Sequence, residues 1–132
     1  MAVVLDTDIV SYLYKEDLRA QLYRPHLNNL PYVISFMTLA ELRHWSLGRN
    51  WGPQRLAEFE EYLSIYLVVF ADDDLCHIWA NAMNSSRRNG KPISAADAWV
   101  ASAALFLDIP LVTHNGKHFL GVDGLKLVTE TV

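Results

Sequence analysis

The chain has 132 residues, 52% hydrophobic and 20% charged, which suits one domain, expected over residues 1–132, and is too apolar for a disordered chain. Its formal net charge of −4 excludes a protein that grips nucleic acid through a broad basic face. Cations held in an acidic site would reconcile that charge with a polyanionic substrate, because bound ions can be the largest local charges.

Short apolar, β-rich runs alternate with longer segments of helical period. Ala2 to Leu5 reads as the first strand, followed by helices from Asp8 to Tyr14 and from Leu18 to Leu30, the second broken near Pro25. A second strand, Tyr32 to Ser35, leads to helices from Thr38 to Leu47 and from Pro53 to Ser64. A third, Tyr66 to Phe70, leads to helices from Asp73 to Asn89 and from Ser94 to Leu107. Leu111 to Thr113 and Leu125 to Val128 read as the closing strands, and the pattern is βαβαβαβ. It predicts an α/β sandwich of three layers, a mainly parallel central sheet with helices on both faces, whose ligands bind outside the carboxyl ends of the strands.

In the helix from Pro53, Leu56, Phe59 and Leu63 recur at helical spacing, so that face is expected to pack inward. Trp45, Trp51, Trp79 and Trp99 supply apolar area for a core or an interface. No window approaches the roughly 20 apolar residues that cross a bilayer. The lone Cys76 has no disulfide partner, and the apolar opening stops at Asp6, too short for a signal-peptide core; a reducing cytoplasm is the expected compartment.

Asp6 directly follows the first strand, where a helix cap or a ligand is expected. Thr38-Leu-Ala-Glu41 and Ser94-Ala-Ala-Asp97 both match the capping box, in which the acid reaches back to the cap residue's N–H. Each acid has a structural explanation alone, but three acids at helix starts can converge on one crevice of the predicted fold. Carboxylates so placed repel one another unless a cation neutralises them. Oxygen ligands select hard ions, magnesium or manganese. The hydroxyls of Thr7 and Ser94 are placed to orient Asp6 and Asp97.

His114 and His118 stand four apart, but no Glu follows His114, so the zinc-protease pattern is absent. Asp72-Asp73-Asp74 reads as an acidic helix start favoured by the helix dipole. The basic run from Arg87 to Lys91 suits either RNA backbone or a solvated turn.

Leu5-Asp6-Thr7-Asp8-Ile9, then Thr38-Leu-Ala-Glu41-Leu42, Ile93-Ser-Ala-Ala-Asp97-Ala, and Leu111-Val-Thr-His-Asn115 with His118-Phe119, resemble PIN-domain ribonuclease toxins of the VapC family, in the family's order. The resemblance implies a PIN fold and a Mg2+- or Mn2+-dependent endoribonuclease with Asp6, Glu41 and Asp97 as catalytic metal ligands. It also implies a homodimer, held in check by a VapB-type antitoxin. One position departs: many relatives carry an acid where this chain has His118, and imidazole is a poorer magnesium ligand. Asp8 or Asn115 would then contribute oxygen instead. Two other readings remain open. One is a catalytically weak PIN-fold binding module. The other follows from Asp6-Thr7-Asp8-Ile9-Val10, which also resembles the opening motif of haloacid-dehalogenase-type phosphatases; there Asp6 would be the nucleophile, with Thr113 and Lys117 imitating later motifs.

Overall fold

In the computed structural model, which describes residues 1–131, five short strands are joined by helices in the order β1 (Val3–Leu5), α1 (Thr7–Lys15), α2 (Ala20–Leu27), β2 (Tyr32–Ser35), α3 (Phe36–Leu47), α4 (Pro53–Leu63), β3 (Leu67–Val69), α5 (Asp73–Arg88), α6 (Ala95–Leu107), β4 (Leu111–Val112) and β5 (Leu127–Val128). Residue 132, the last of the expected domain, lies outside the described residues. The strands form one sheet in the order β3-β2-β1-β4-β5, every neighbouring pair parallel. β1 is central, with Val4 opposite Val33 on one side and Leu111 on the other.

Successive strand side chains point to opposite faces, and the two faces build two cores. Val3, Leu5, Ile34 and Val112 pack with Ile9, Tyr23, Leu42 and Phe59 of α1 to α4. Val4, Val33 and Leu111 pack with Ala82 of α5 and with Ala98, Val100 and Ala104 of α6. Strands covered on both sides need apolar residues at every position, which is why Val3-Val4-Leu5 does not alternate with polar residues. Alanines on α6 let that helix lie close to the sheet; Ala98, Ala101 and Ala103 are completely buried. Phe59 and Leu63 are buried as the helical spacing predicts. The tryptophans divide: Trp45 and Trp51 meet Phe59 edge-on, and Trp79 stacks on Trp99 with ring centroids 5.0 Å apart.

Helix starts follow local hydrogen bonds. Ser94 caps α6 by accepting from the Asp97 N–H at 3.1 Å, and Asp72 caps α5 by accepting from the Leu75 N–H at 2.8 Å. The capping-box reading at Thr38 is corrected: α3 begins two residues before it, capped by Ser35, whose hydroxyl accepts from the Met37 N–H. β2 runs straight into α3, so Glu41 lies in the second helical turn and its carboxylate is free for other work. α2 is shorter than expected, with Pro25 inside its final turn. The β4–β5 connection holds no α-helix, only a single 3-10 turn at Gly116–Phe119. Among the described residues, no helix is long and apolar enough to cross a membrane.

Candidate metal centre

From β1 the chain steps outward to β2 and β3, then returns to place β4 on the opposite side of β1. The crevice where direction reverses, at the carboxyl ends of β1 and β4, is where sheets of this kind bind ligands. Asp6 directly follows β1 there and Thr113 directly follows β4. The Thr113 hydroxyl donates to Asp6 Oδ2 at 2.8 Å, and the Thr7 N–H donates to Oδ1 at 2.7 Å. Asp6 thus caps α1 and also faces the crevice, so the structural and functional readings of this residue coexist.

Asp6 is 7% exposed. Burial first, and then repulsion from Asp8, push its carboxyl up to about 7; the bonds from Thr113 and Thr7 pull the other way, and Asp97 adds a smaller raise. The Asp8 carboxyl is also raised, chiefly by burial. Asp8 accepts from the Ile9 N–H at 2.7 Å, the His114 N–H at 3.1 Å and Asn115 Nδ2 at 3.0 Å. Those bonds fasten the chain after β4 to the start of α1. Asn115 thus serves Asp8 with its nitrogen, and it lines the same crevice.

Glu41 reaches the same crevice from α3. Its Oε1 accepts from the Thr7 hydroxyl at 2.7 Å, and Thr7 Oγ1 lies 3.1 Å from Thr38 Oγ1. Thr7 therefore orients Glu41 by its hydroxyl and Asp6 by its amide. Asp97, on the first turn of α6, faces in from the other helical layer, and His118 Nδ1 stands 3.5 Å from its Oδ2. Ser94 fixes the backbone of Asp97 through the helix cap. Asp6, Glu41, Asp97, Asp8 and His118 line one cavity of about 480 Å³.

The donor set fits a hard divalent ion: oxygen donors at an open site, among them the buried Asp6 and Asp8, whose protonation is favoured while no cation neutralises them. Among the described residues no three His, Cys, Asp or Glu side chains stand close enough together to hold a metal ion as they are arranged here. Magnesium does not need three, since it takes one or two carboxylates and completes its octahedron with water and substrate phosphate.

A model of the PIN domain family matches residues 3–125, and ribonuclease VapC1 of Haemophilus influenzae strain R2866 is 31% identical over 128 residues, covering 96% of each chain. The chain is a PIN domain protein of the VapC family. The tRNA(fMet)-specific endonuclease VapC of Shigella flexneri is 27% identical over 123 residues, 93% of each chain. Among solved structures, VapBC-1 from nontypeable Haemophilus influenzae superposes with a TM-score of 0.79 at 30% identity, covering 98% of each chain. The all-parallel sheet between helical layers is thus the PIN-like α/β fold.

The PIN domain assembles its crevice from more residues than sequence reasoning named. Tyr12 and Trp45 line the cavity beside the acids. Both were within reach: Tyr12 is four residues after Asp8 on α1, and Trp45 four after Glu41 on α3, which puts each pair on one helix face. His114 was missed for another reason. Its contribution is a backbone N–H to Asp8, and its ring meets the Tyr23 hydroxyl at 2.6 Å, a pairing across 91 positions that no local pattern reveals.

Proposed function

We propose that this PIN domain is a metal-dependent endoribonuclease, the toxin of a VapBC-type toxin–antitoxin pair. Asp6, Glu41 and Asp97 would hold magnesium or manganese, and RNA is the substrate. The observation that carries the reading is the meeting of three carboxylates from β1, α3 and α6 in one open crevice at the switch point of the sheet. A bound divalent ion supplies charge neutralisation on the phosphodiester and lowers the pKa of water, the chemistry that hydrolysis requires.

The chain's own residues do the positioning. Asp6 is held rigidly by Thr113 and Thr7, so its carboxylate is fixed before ligands arrive. Glu41 is aimed by Thr7. Asp97 approaches from the opposite layer, so the three acids border the crevice from both sides. Asp8 keeps the β4 end in register. His118 stands against Asp97 at 3.5 Å.

The partner is a VapB-type antitoxin, supported by the likeness to VapBC-1, and the relatives named ribonuclease and tRNA-specific endonuclease support RNA as the target. A homodimer in the cytoplasm completes the proposal. Family membership sets aside the phosphatase alternative. The binding-module reading keeps one observation in its favour, the imidazole of His118 in place of an acid. Incubating antitoxin-free protein with mixed RNA in magnesium, manganese or chelator tests the proposal. Cutting that requires the metal supports it; RNA or antitoxin binding without cutting under any metal supports the binding module.

A further inference from the structure

We propose that RNA leaves the metal centre along a second groove, in which Lys91 and Lys117 hold backbone phosphates on the Asp97 side of the cut. This rests on the nuclease reading and adds the path of the strand to it. The groove, about 540 Å³, is lined by Lys91, Pro92, Ser94, Asp97, Lys117 and His118, so it shares Asp97 and His118 with the metal cavity and continues it.

A chain of net charge −4 must place its available cations with care if it is to hold a polyanion. Of its 11 lysines and arginines, Arg19, Arg43, Arg88 and Lys126 are neutralised by Asp17, Glu60, Asp123 and Asp108. Among the described residues the other seven join no ion pair, and of those seven Lys91 and Lys117 are the two that line this groove. In the basic run that the sequence left undecided, Arg88 is occupied by Asp123, Lys91 lines the groove, and Arg87 does neither.

Lys91 also sits on fixed backbone. Its N–H donates to the Ser86 carbonyl at 2.9 Å, and Asn89 Nδ2 donates to the Gly121 carbonyl at 2.8 Å. Gly121 packs so closely that a Cβ there would come within 2.5 Å of the Lys91 carbonyl oxygen. Lys117 rides on the 3-10 turn, anchored by buried Phe119. Two long cationic side chains on a rigid rim can follow a phosphate backbone without reading bases.

The test compares cleavage of a single-stranded RNA by wild type, Lys91→Gln/Lys117→Gln and Lys126→Gln, which removes a charge from the β5 side remote from the crevice. The double variant is expected to raise KM roughly tenfold at about 0.1 M salt with kcat within about twofold. The slope of log(kcat/KM) against log[salt] should flatten by about 1.4, or about 0.7 for each phosphate that is no longer neutralised. Lys126→Gln should match wild type. Wild-type cutting with an unchanged KM and slope in the double variant would overturn the groove alone. No metal-dependent cutting by wild type would overturn the nuclease reading and the groove with it.

Discussion

Asp6→Asn should stabilise the metal-free protein while removing its activity. Burial and Asp8 hold the Asp6 carboxyl at about 7 against 3.8 in an unfolded chain, a difference of about three units. The folded state therefore binds this proton more tightly than the unfolded state. Stability from this group is complete below about pH 4, drains as pH rises, and is lost above about pH 7. At 1.36 kcal/mol per unit the loss amounts to about 4 kcal/mol at pH 8. Asn removes the charge but weakens the bonds from Thr7 and Thr113, so we expect a net gain of about 2 kcal/mol. With about 2.1 cal/mol/K of unfolding entropy per residue, that is a rise of about 7 °C in Tm. The assay is thermal unfolding of both proteins in chelator at pH 8 and pH 4. The gain should shrink to under about 2 °C at pH 4, where Asp6 is already protonated. Adding magnesium at pH 8 should raise the Tm of wild type more than that of the variant. A variant no more stable than wild type at pH 8, or equally stabilised at both pH values, would refute the reasoning.

Three further substitutions separate the supports of the site. Thr113→Val removes the hydroxyl that donates to Asp6 and accepts from the Asn115 N–H; unfolding should register a loss of about 1–3 kcal/mol in chelator at pH 5. Thr7→Val frees Glu41, which lies exposed, so stability should change by less than about 1 kcal/mol while metal affinity by calorimetry falls about 10- to 100-fold. His118→Asp returns an acid beside Asp97; calorimetry should find tighter magnesium binding, and the metal-free protein should unfold at lower temperature at pH 8 because another carboxylate joins the cluster.

The part of this protein legible in its sequence is the part set by local periodicity. Val3-Val4-Leu5 could only be a strand covered on both faces, and Asp6 after it had to stand at the ligand edge. The Ser94 half of its capping box read correctly because that bond, from the Asp97 N–H, lies within four residues, while the Asp97 carboxylate stands beside His118. The same four-residue pattern misled at Thr38, since the start of α3 is set by β2 running directly into it from Ser35. Thr113 as a partner for Asp6 was hidden because the bond spans 107 positions and exists only once β4 lies beside β1. The pairing of Thr7 with Glu41 was hidden for the same reason: it needs α1 and α3 packed on one face of the sheet.

The most direct test of the central claim is single-turnover cleavage of RNA by antitoxin-free wild type and Asp97→Asn, each shown to be folded, in magnesium and in chelator. Asp97 faces the crevice from the helical layer opposite Glu41, so the claim that ligands from both layers share one ion rests on it. The account predicts cutting by wild type that chelator abolishes, and a loss of at least about 100-fold in the variant, of the order seen when one preorganised electrostatic interaction is removed. Full-rate cutting by folded Asp97→Asn, or cutting by wild type that chelator leaves untouched, would contradict it.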